Sequence, residues 1–314
     1  MNTMGRLKRA IYNPKLFARG INRAYHQHGG LKSENKDGID VFAADWDTLI
    51  VLDACRYDMF ETVNYLDGVL TSKQSKGSST TEWLHANFHS RDLRDTVYVT
   101  ANPQLERNRD CWEVNLHETV NVWLNEGWDE ETGTVLAETM TDIAIKMHDR
   151  FPNKRLVIHY MQPHYPFVPS DTMFDKEHLH RVEDPIGSNS DKENVWNQKF
   201  LGDLSTTHNE LWEMYMDNLK YVLKNLGTLL DEVSGKPVIT SDHGNYVGER
   251  ASPIPIREYG HPRGLYDDTL TCVPWFECDY KKRRQIIAGS DPSADSNIDS
   301  KTVSKRLRDL GYRD

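Results

Sequence analysis

A strand-length apolar run that ends on an acid constrains this chain more than any other feature. Asp47-Thr-Leu-Ile-Val-Leu-Asp53 is too short for a helix and apolar throughout, so it reads as a strand buried on both faces. Thr96-Val-Tyr-Val-Thr100, Arg155-Leu-Val-Ile-His-Tyr-Met161 and Pro237-Val-Ile-Thr240 repeat the pattern, and Val273-Pro-Trp-Phe276 is a fifth candidate. Segments of helical period lie between them. One covers Thr134–Arg150. A longer one covers His208–Val233, with Leu211, Met214, Leu219, Val222, Leu226 and Leu230 on one stripe and Gly235 as its stop. Doubly buried strands alternating with helices predict an α/β fold, a doubly wound, mostly parallel sheet sandwiched by helices.

At 314 residues the chain suits one large domain with a small appendage. The expected division is a basic N-terminal arm over 1–40, a main domain over 41–280, and a linker with a C-terminal closing helix over 281–314. Ser300–Leu310 forms that helix and Gly311 ends it. Residues 169–206 are polar and without period, which predicts a long loop over the site. Lys281-Lys-Arg-Arg284 reads as a solvated face.

The net charge of -10 argues against nucleic acid as a partner. No run approaches the roughly 18 apolar residues of a membrane span, and no secretory signal is visible, so a cytoplasmic location is expected. Cys55, Cys111, Cys272 and Cys278 lack zinc-knuckle spacing and read as free thiols in a reducing compartment. The arm departs from the acidic balance. Arg6, Lys8, Arg9, Lys15, Arg19 and Arg23 precede any acid, interleaved with Leu7, Ile11, Leu16, Phe17, Ile21 and Tyr25, and Pro14 prevents one continuous helix. Either the arm packs on the main domain, or residues 1–30 make peripheral contact with an anionic inner-membrane surface.

Ligands of open α/β sheets bind beyond the carboxyl ends of the strands. Asp53 ends the first strand, Asp242-His243-Gly244 follows the fourth, and His164 lies just past the third in Gln162-Pro-His-Tyr-Pro-Phe167. Buried carboxylates need cationic partners, and one divalent metal ion would serve both Asp53 and Asp242 with His243 beside them. Mn2+ or Mg2+ suits so carboxylate-rich a site, with Ca2+ and Zn2+ as alternatives. Lys76-Gly-Ser-Ser-Thr-Thr-Glu-Trp83 places hydroxyls at a helix start, where backbone N–H groups and the helix dipole favour an anion. Arg56 is near enough to Asp53 to reach an anionic oxygen, or to pair with Asp58. His159, inside its strand, reads as a satisfied core histidine.

Asp53-Ala-Cys-Arg56, Ser241-Asp-His-Gly244, Gln162-Pro-His-Tyr-Pro166 and the closing Leu310-Gly-Tyr312 together resemble the alkaline phosphatase and sulfatase superfamily, over roughly residues 45–312. The resemblance implies a metal-dependent hydrolase or transferase acting on a phosphate ester, with Asp53, Asp242 and His243 as metal ligands. It implies a hydroxyl nucleophile that also meets the metal. Phosphoglycerol transferases of the superfamily carry Glu four residues after the nucleophile, and counting back from Glu82 points to Ser78, with Ser79 and Thr80 as competitors. His164 and His261 are implied as groups that bind the ester and protonate its leaving alcohol, with Arg56 as a further substrate contact. The Cys/Ser-x-Pro-x-Arg pattern of formylglycine sulfatases is absent, since Thr80 and Glu82 stand at the Pro and Arg positions counted from Ser78. Two-metal members carry Asp and His where this chain has His164 and Val168, which implies one metal. A sulfatase without the modification and an idle binding protein on the same scaffold are the competing readings. The alcohol of the ester stays open between small molecules and glycan- or lipid-linked groups.

Overall fold

The computed structural model describes residues 14–28, 34–124, 127–170, 195–287 and 299–312. Its centre is a seven-stranded sheet ordered β2-β9-β6-β1-β5-β3-β4, made of β1 (Thr48–Leu52), β2 (Gly68–Gln74), β3 (Arg91–Thr100), β4 (Val114–Asn121), β5 (Arg155–Tyr160), β6 (Pro237–Ser241) and β9 (Cys272–Cys278). β1 pairs in parallel with β5 and β6, and β3 with β5 and β4, while β9 and β2 run antiparallel at one side. A separate hairpin holds β7 (Tyr246–Arg250) and β8 (Arg257–Gly260).

Alternation along β1 shows both faces covered. Ile50 and Leu52 enter one core cluster, Leu49 and Val51 the other. The helices are α1 (Pro14–His26), α2 (Tyr57–Val63), α3 (Thr80–Phe88), α4 (Gln104–Arg107), α5 (Ala137–Arg150), α6 (Val195–Leu201), α7 (His208–Glu232), α8 (Asp268–Thr271) and α9 (Ser300–Asp309). α7 starts with a capping box between Thr207 and Glu210, worth about 1 kcal/mol. The expected fold class, the four main strands and the long helix are all present.

Some expectations give way. The loop expected over 169–206 holds helix α6 at its end, where Val195, Trp196 and Phe200 are buried; residues 171–194 lie outside the described residues, as do 1–13 of the arm and 288–298 of the linker. Lys281, Lys282 and Arg283 are exposed, as expected of a solvated face, yet the run is also anchored. Arg283 forks onto Asp47 at 2.7 and 2.9 Å and reaches Asp45 at 2.8 Å, while Arg284 donates to the Phe151 carbonyl. Both arginines thereby tie the segment to the end of the sheet opposite Asp53. All four cysteines are free, with Cys55 and Cys278 buried.

Candidate metal and ester site

Parallel pairing brings the strand ends into one row. Leu52 of β1 lies level with Tyr160 of β5 and Ser241 of β6, so the residues that follow each strand emerge side by side. The chain turns sharply after Asp53, with Ala54 at φ 60°, a left-handed conformation that costs a non-glycine residue about 1 kcal/mol. That turn points the Ala54 N–H at Asp242 Oδ1, 3.0 Å away, and Tyr215 of α7 holds the Ala54 carbonyl at 2.8 Å. Gly244 is required next to His243, because a Cβ there would lie 2.1 Å from the Thr269 carbonyl oxygen.

Each of the two acids keeps one oxygen unpartnered. Asp242 Oδ1 accepts from the backbone N–H groups of Ala54 and His243, and its Oδ2 has no partner. Asp53 Oδ2 accepts from Asn102 Nδ2 and the Tyr312 hydroxyl, both at 2.7 Å, and its Oδ1 has none. His243 donates Nδ1–H to the Gly244 carbonyl at 2.7 Å, which fixes the tautomer and turns the Nε2 lone pair toward the acids and the Thr80 hydroxyl. His243 Nε2 lies 3.6 Å from Asp53 Oδ1 and 3.4 Å from Asp242 Oδ2, and the ligand atoms of the three residues lie within 4.8 Å of one another. All three side chains are fully buried. Burial raises the Asp53 pKa well above the carboxylate range, and the Asp242 charge adds to the effect. Burial opposes ionisation of Asp242 too, but the His243 imidazole beside it and the Ala54 N–H hold its pKa below the usual value. Two carboxylates and an imidazole, converging with unpartnered atoms in a dry site, fit a divalent cation.

The hydroxyl that joins this group is Thr80, not Ser78. Ser79 is the N-cap of α3, its side chain accepting from the Glu82 N–H, so Thr80 becomes the first helical residue and faces inward. Thr80 Oγ1 lies 3.2 Å from His243 Nε2 and 3.4 Å from Asp53 Oδ2. Ser78 Oγ is committed elsewhere: it donates to Glu82 Oε2 at 2.8 Å and accepts from the Gly264 N–H at 2.8 Å. Glu82 therefore clamps Ser78 and turns its hydroxyl away from the acids. Gly77 lets this corner form, since a Cβ there would lie 2.5 Å from the Trp83 nitrogen.

His164 and His261 do reach the site. Their rings lie 5.0 Å apart, and His261 lies 4.5 Å from His243. His164 donates Nδ1–H to the Tyr165 carbonyl at 2.5 Å, leaving Nε2 unpartnered. His261 Nδ1 meets Asn245 Oδ1 at 3.2 Å, and the Asn245 amide is oriented by its donation to the Tyr246 carbonyl. Burial lowers the His164 pKa to about 4 and pushes His261 well below its usual value, so both rings are neutral at pH 7. Asn218 of α7 fixes the loop of His164 by donating to the carbonyls of Pro163, His164 and Pro166 at 3.0, 3.0 and 3.1 Å.

Arg56 is absent from the site. Its guanidinium forks onto Asp58 at 2.9 and 2.6 Å, pairs with Glu249, and lies over the Trp212 ring. It buttresses the 242–245 loop, where its Nη1 also reaches the Asn245 carbonyl at 3.5 Å. Arg56→Met is accordingly expected to lower stability by about 2 kcal/mol, the scale of charged hydrogen bonds lost, without raising KM. Thermal melts and initial rates check this, and a KM rise with unchanged melting would restore Arg56 as a substrate contact.

Sequence reasoning gave no site role to three neighbours. Tyr312 arrives from the C-terminus, donates to Asp53 and stacks on His164 with ring centroids 5.2 Å apart. Asn102 follows β3 and holds both Asp53 and Tyr312. His159 is only half satisfied: its Nδ1 accepts from the Tyr98 hydroxyl at 2.8 Å, and its Nε2 sits beneath the carboxylates, 4.0 Å from Asp53 and 3.8 Å from Asp242. Burial lowers its pKa to about 4. The ring is therefore neutral and turns an Nε2–H toward the two acids.

No protein-family model matches the chain, and no curated protein matches it in sequence. Solved structures do match. The soluble domain of lipooligosaccharide phosphoethanolamine transferase A from Neisseria meningitidis is 14% identical at a TM-score of 0.44, over 73% of this chain and 75% of that one. The C-terminal periplasmic domain of phosphoethanolamine transferase EptC from Campylobacter jejuni is 13% identical at 0.43, over 73% and 77%. The corresponding domain of EcEptC from Escherichia coli, in complex with Zn, is 13% identical at 0.37, over 76% and 75%.

Proposed function

We propose that the chain is a divalent-metal-dependent phosphoester transferase or hydrolase with Thr80 as its nucleophile. The observation that carries this reading is the convergence of unpartnered Asp53 Oδ1 and Asp242 Oδ2 with His243 Nε2 around the Thr80 hydroxyl. Asp53, Asp242, His243 and Thr80 would hold the ion, which when bound favours the alkoxide and neutralises charge on the ester oxygens. Thr80 Oγ1 attacks phosphorus in line, forming a P–O bond as the bond to the alcohol breaks. Its proton passes to a neutral imidazole, His261 or His164, and from there to the departing alkoxide. In the second half an acceptor alcohol or water gives its proton to the same imidazole and attacks the phosphothreonine. Thr80 leaves and takes the proton back. Asn102 and Tyr312 hold the Asp53 carboxylate in place throughout.

Phosphate is favoured over sulfate because a threonine hydroxyl, not a formylglycine precursor, occupies the nucleophile position. A panel of aryl phosphate monoesters, diesters and sulfates, assayed with Mn2+, Mg2+, Zn2+ or Ca2+, tests the reading. Turnover of a phosphate ester with at least one ion, abolished by a chelator, is expected. Turnover of the sulfate alone would replace it with the sulfatase reading, and no ion binding at all would favour the idle scaffold.

A further inference from the structure

Helix α1 is packed inside out. Its inward face carries polar side chains: Arg19 donates from Nε and Nη2 to buried Glu258 at 2.9 and 2.5 Å, reaches Asn197 at 2.9 Å and lies over the Phe200 ring, while Asn22 exchanges two hydrogen bonds with the Ile254 backbone. Its outward face carries Phe17, Ile21 and Tyr25, spaced four apart on one stripe and exposed by 61%, 39% and 64%. Seven large hydrophobic residues are exposed among those described, and this helix of 13 residues holds three of them. A helix that meets only water on its outer side shows the opposite pattern. The ion pair and the two Asn22 bonds hold it in this orientation, so the apolar stripe is presented outward.

We propose that this stripe docks on the surface of an anionic lipid bilayer. The charge pattern selects that occupant. The chain has a net charge of -10, yet beside the paired Arg19 six further basic residues, Arg6, Lys8, Arg9, Lys15, Arg23 and Lys32, precede its first acid, Glu34. An apolar helix face within a basic segment matches the acyl boundary and the headgroups together. With 13 residues the helix is too short to span the hydrocarbon core, and it lies in the interface plane. The end of α1 rests on the segment that supplies His261: a Cβ on Gly264 would meet Gln27 at 2.4 Å and Arg23 at 3.2 Å, and the Gly264 N–H bonds Ser78. Docking therefore sets the site beside the bilayer. Taken with the proposed function, on which this step rests, it makes the substrate an ester with a lipid-anchored partner.

Flotation of the full chain with phosphatidylcholine vesicles, with and without phosphatidylglycerol, tests the proposal against the Phe17→Ser/Ile21→Ser/Tyr25→Ser variant and the single Phe17→Glu variant. The parent is expected to float with the anionic vesicles only and to be released by salt. The triple variant should bind roughly tenfold more weakly or worse, and Phe17→Glu should also weaken it. Both variants should keep the parental melting temperature and parental turnover of a soluble aryl phosphodiester, so loss of docking is separable from failure of the catalytic reading. A parent that does not float, or variants that float like the parent, overturns the proposal. So does a parental dimer that the triple variant converts to monomer without any vesicle binding, since the face would then belong to a second copy.

Discussion

Thr80→Ala is expected to lower kcat/KM by roughly four orders of magnitude, the scale seen when a covalent nucleophile is removed. Thr80→Ser should retain a substantial share, because it keeps the hydroxyl at the start of α3. Ser78→Ala is expected to cost less than about tenfold in rate and about 1 kcal/mol in stability, since its Oγ ties Glu82 to the Gly264 N–H and does not face the acids. Ser79→Ala should cost about 1 kcal/mol as a lost N-cap. The four variants separate the register of the hydroxyl from the integrity of the helix start. Acid-quenched turnover of a phosphodiester, followed by peptide mapping, should find the phosphoryl group on Thr80. Modified Ser78, with an active Thr80→Ala enzyme, would move the nucleophile and break the geometric assignment.

That register is what the sequence could not reveal. Three consecutive hydroxyls begin α3, and which of them faces the acids depends on where the N-cap falls. Ser79 caps, and a rotation of one residue decides the outcome. The Glu82 spacing pointed to Ser78 because a resemblance supplies spacing but not the partner of the carboxylate, here Ser78 itself. The acids were legible for a simpler reason. Asp53 and Asp242 follow apolar strands too short to be anything else, and parallel strands in one sheet put their carboxyl ends together. β1, β5 and β6 were legible on the same ground. β2 and β4 were not, because both lie at sheet edges and their exposed faces carry Ser72, Lys73, Asn115 and Glu118 in place of an apolar run. Tyr312 was quoted as part of a motif, yet its bond to Asp53 spans 259 residues, a separation that no local pattern encodes.

The second large effect is expected from Asp53→Asn, and its sign depends on the metal. Without an ion, Asp53 and Asp242 face each other in a fully buried site, and burial raises the Asp53 pKa well above the carboxylate range. At pH 7 the folded protein must then either take up a proton at Asp53 or hold a second buried charge, and both cost free energy relative to a neutral side chain. The amide oxygen can keep the bonds from Asn102 and Tyr312, and the new amide nitrogen can donate to the unpartnered Asp242 Oδ2. Metal-stripped Asp53→Asn is therefore expected to melt above the metal-stripped parent by about 2 °C or more at pH 7. The gap should shrink as pH falls toward the unfolded-state value, where the parental acid is protonated in both states. With an ion the order reverses. The parent gains about 2.7 kcal/mol when the free ion is at 100 times its Kd, and the variant gains little because one of its anionic ligands is gone. Asp242→Asn with His243→Ala should abolish the metal-induced shift altogether. Melts of stripped proteins titrated with Mn2+, Mg2+, Zn2+ and Ca2+ measure all of these. A parent that none of the four stabilises, or a stripped Asp53→Asn protein that melts well below the stripped parent, would mean that the acids are held by the protein alone and that no cation belongs between them.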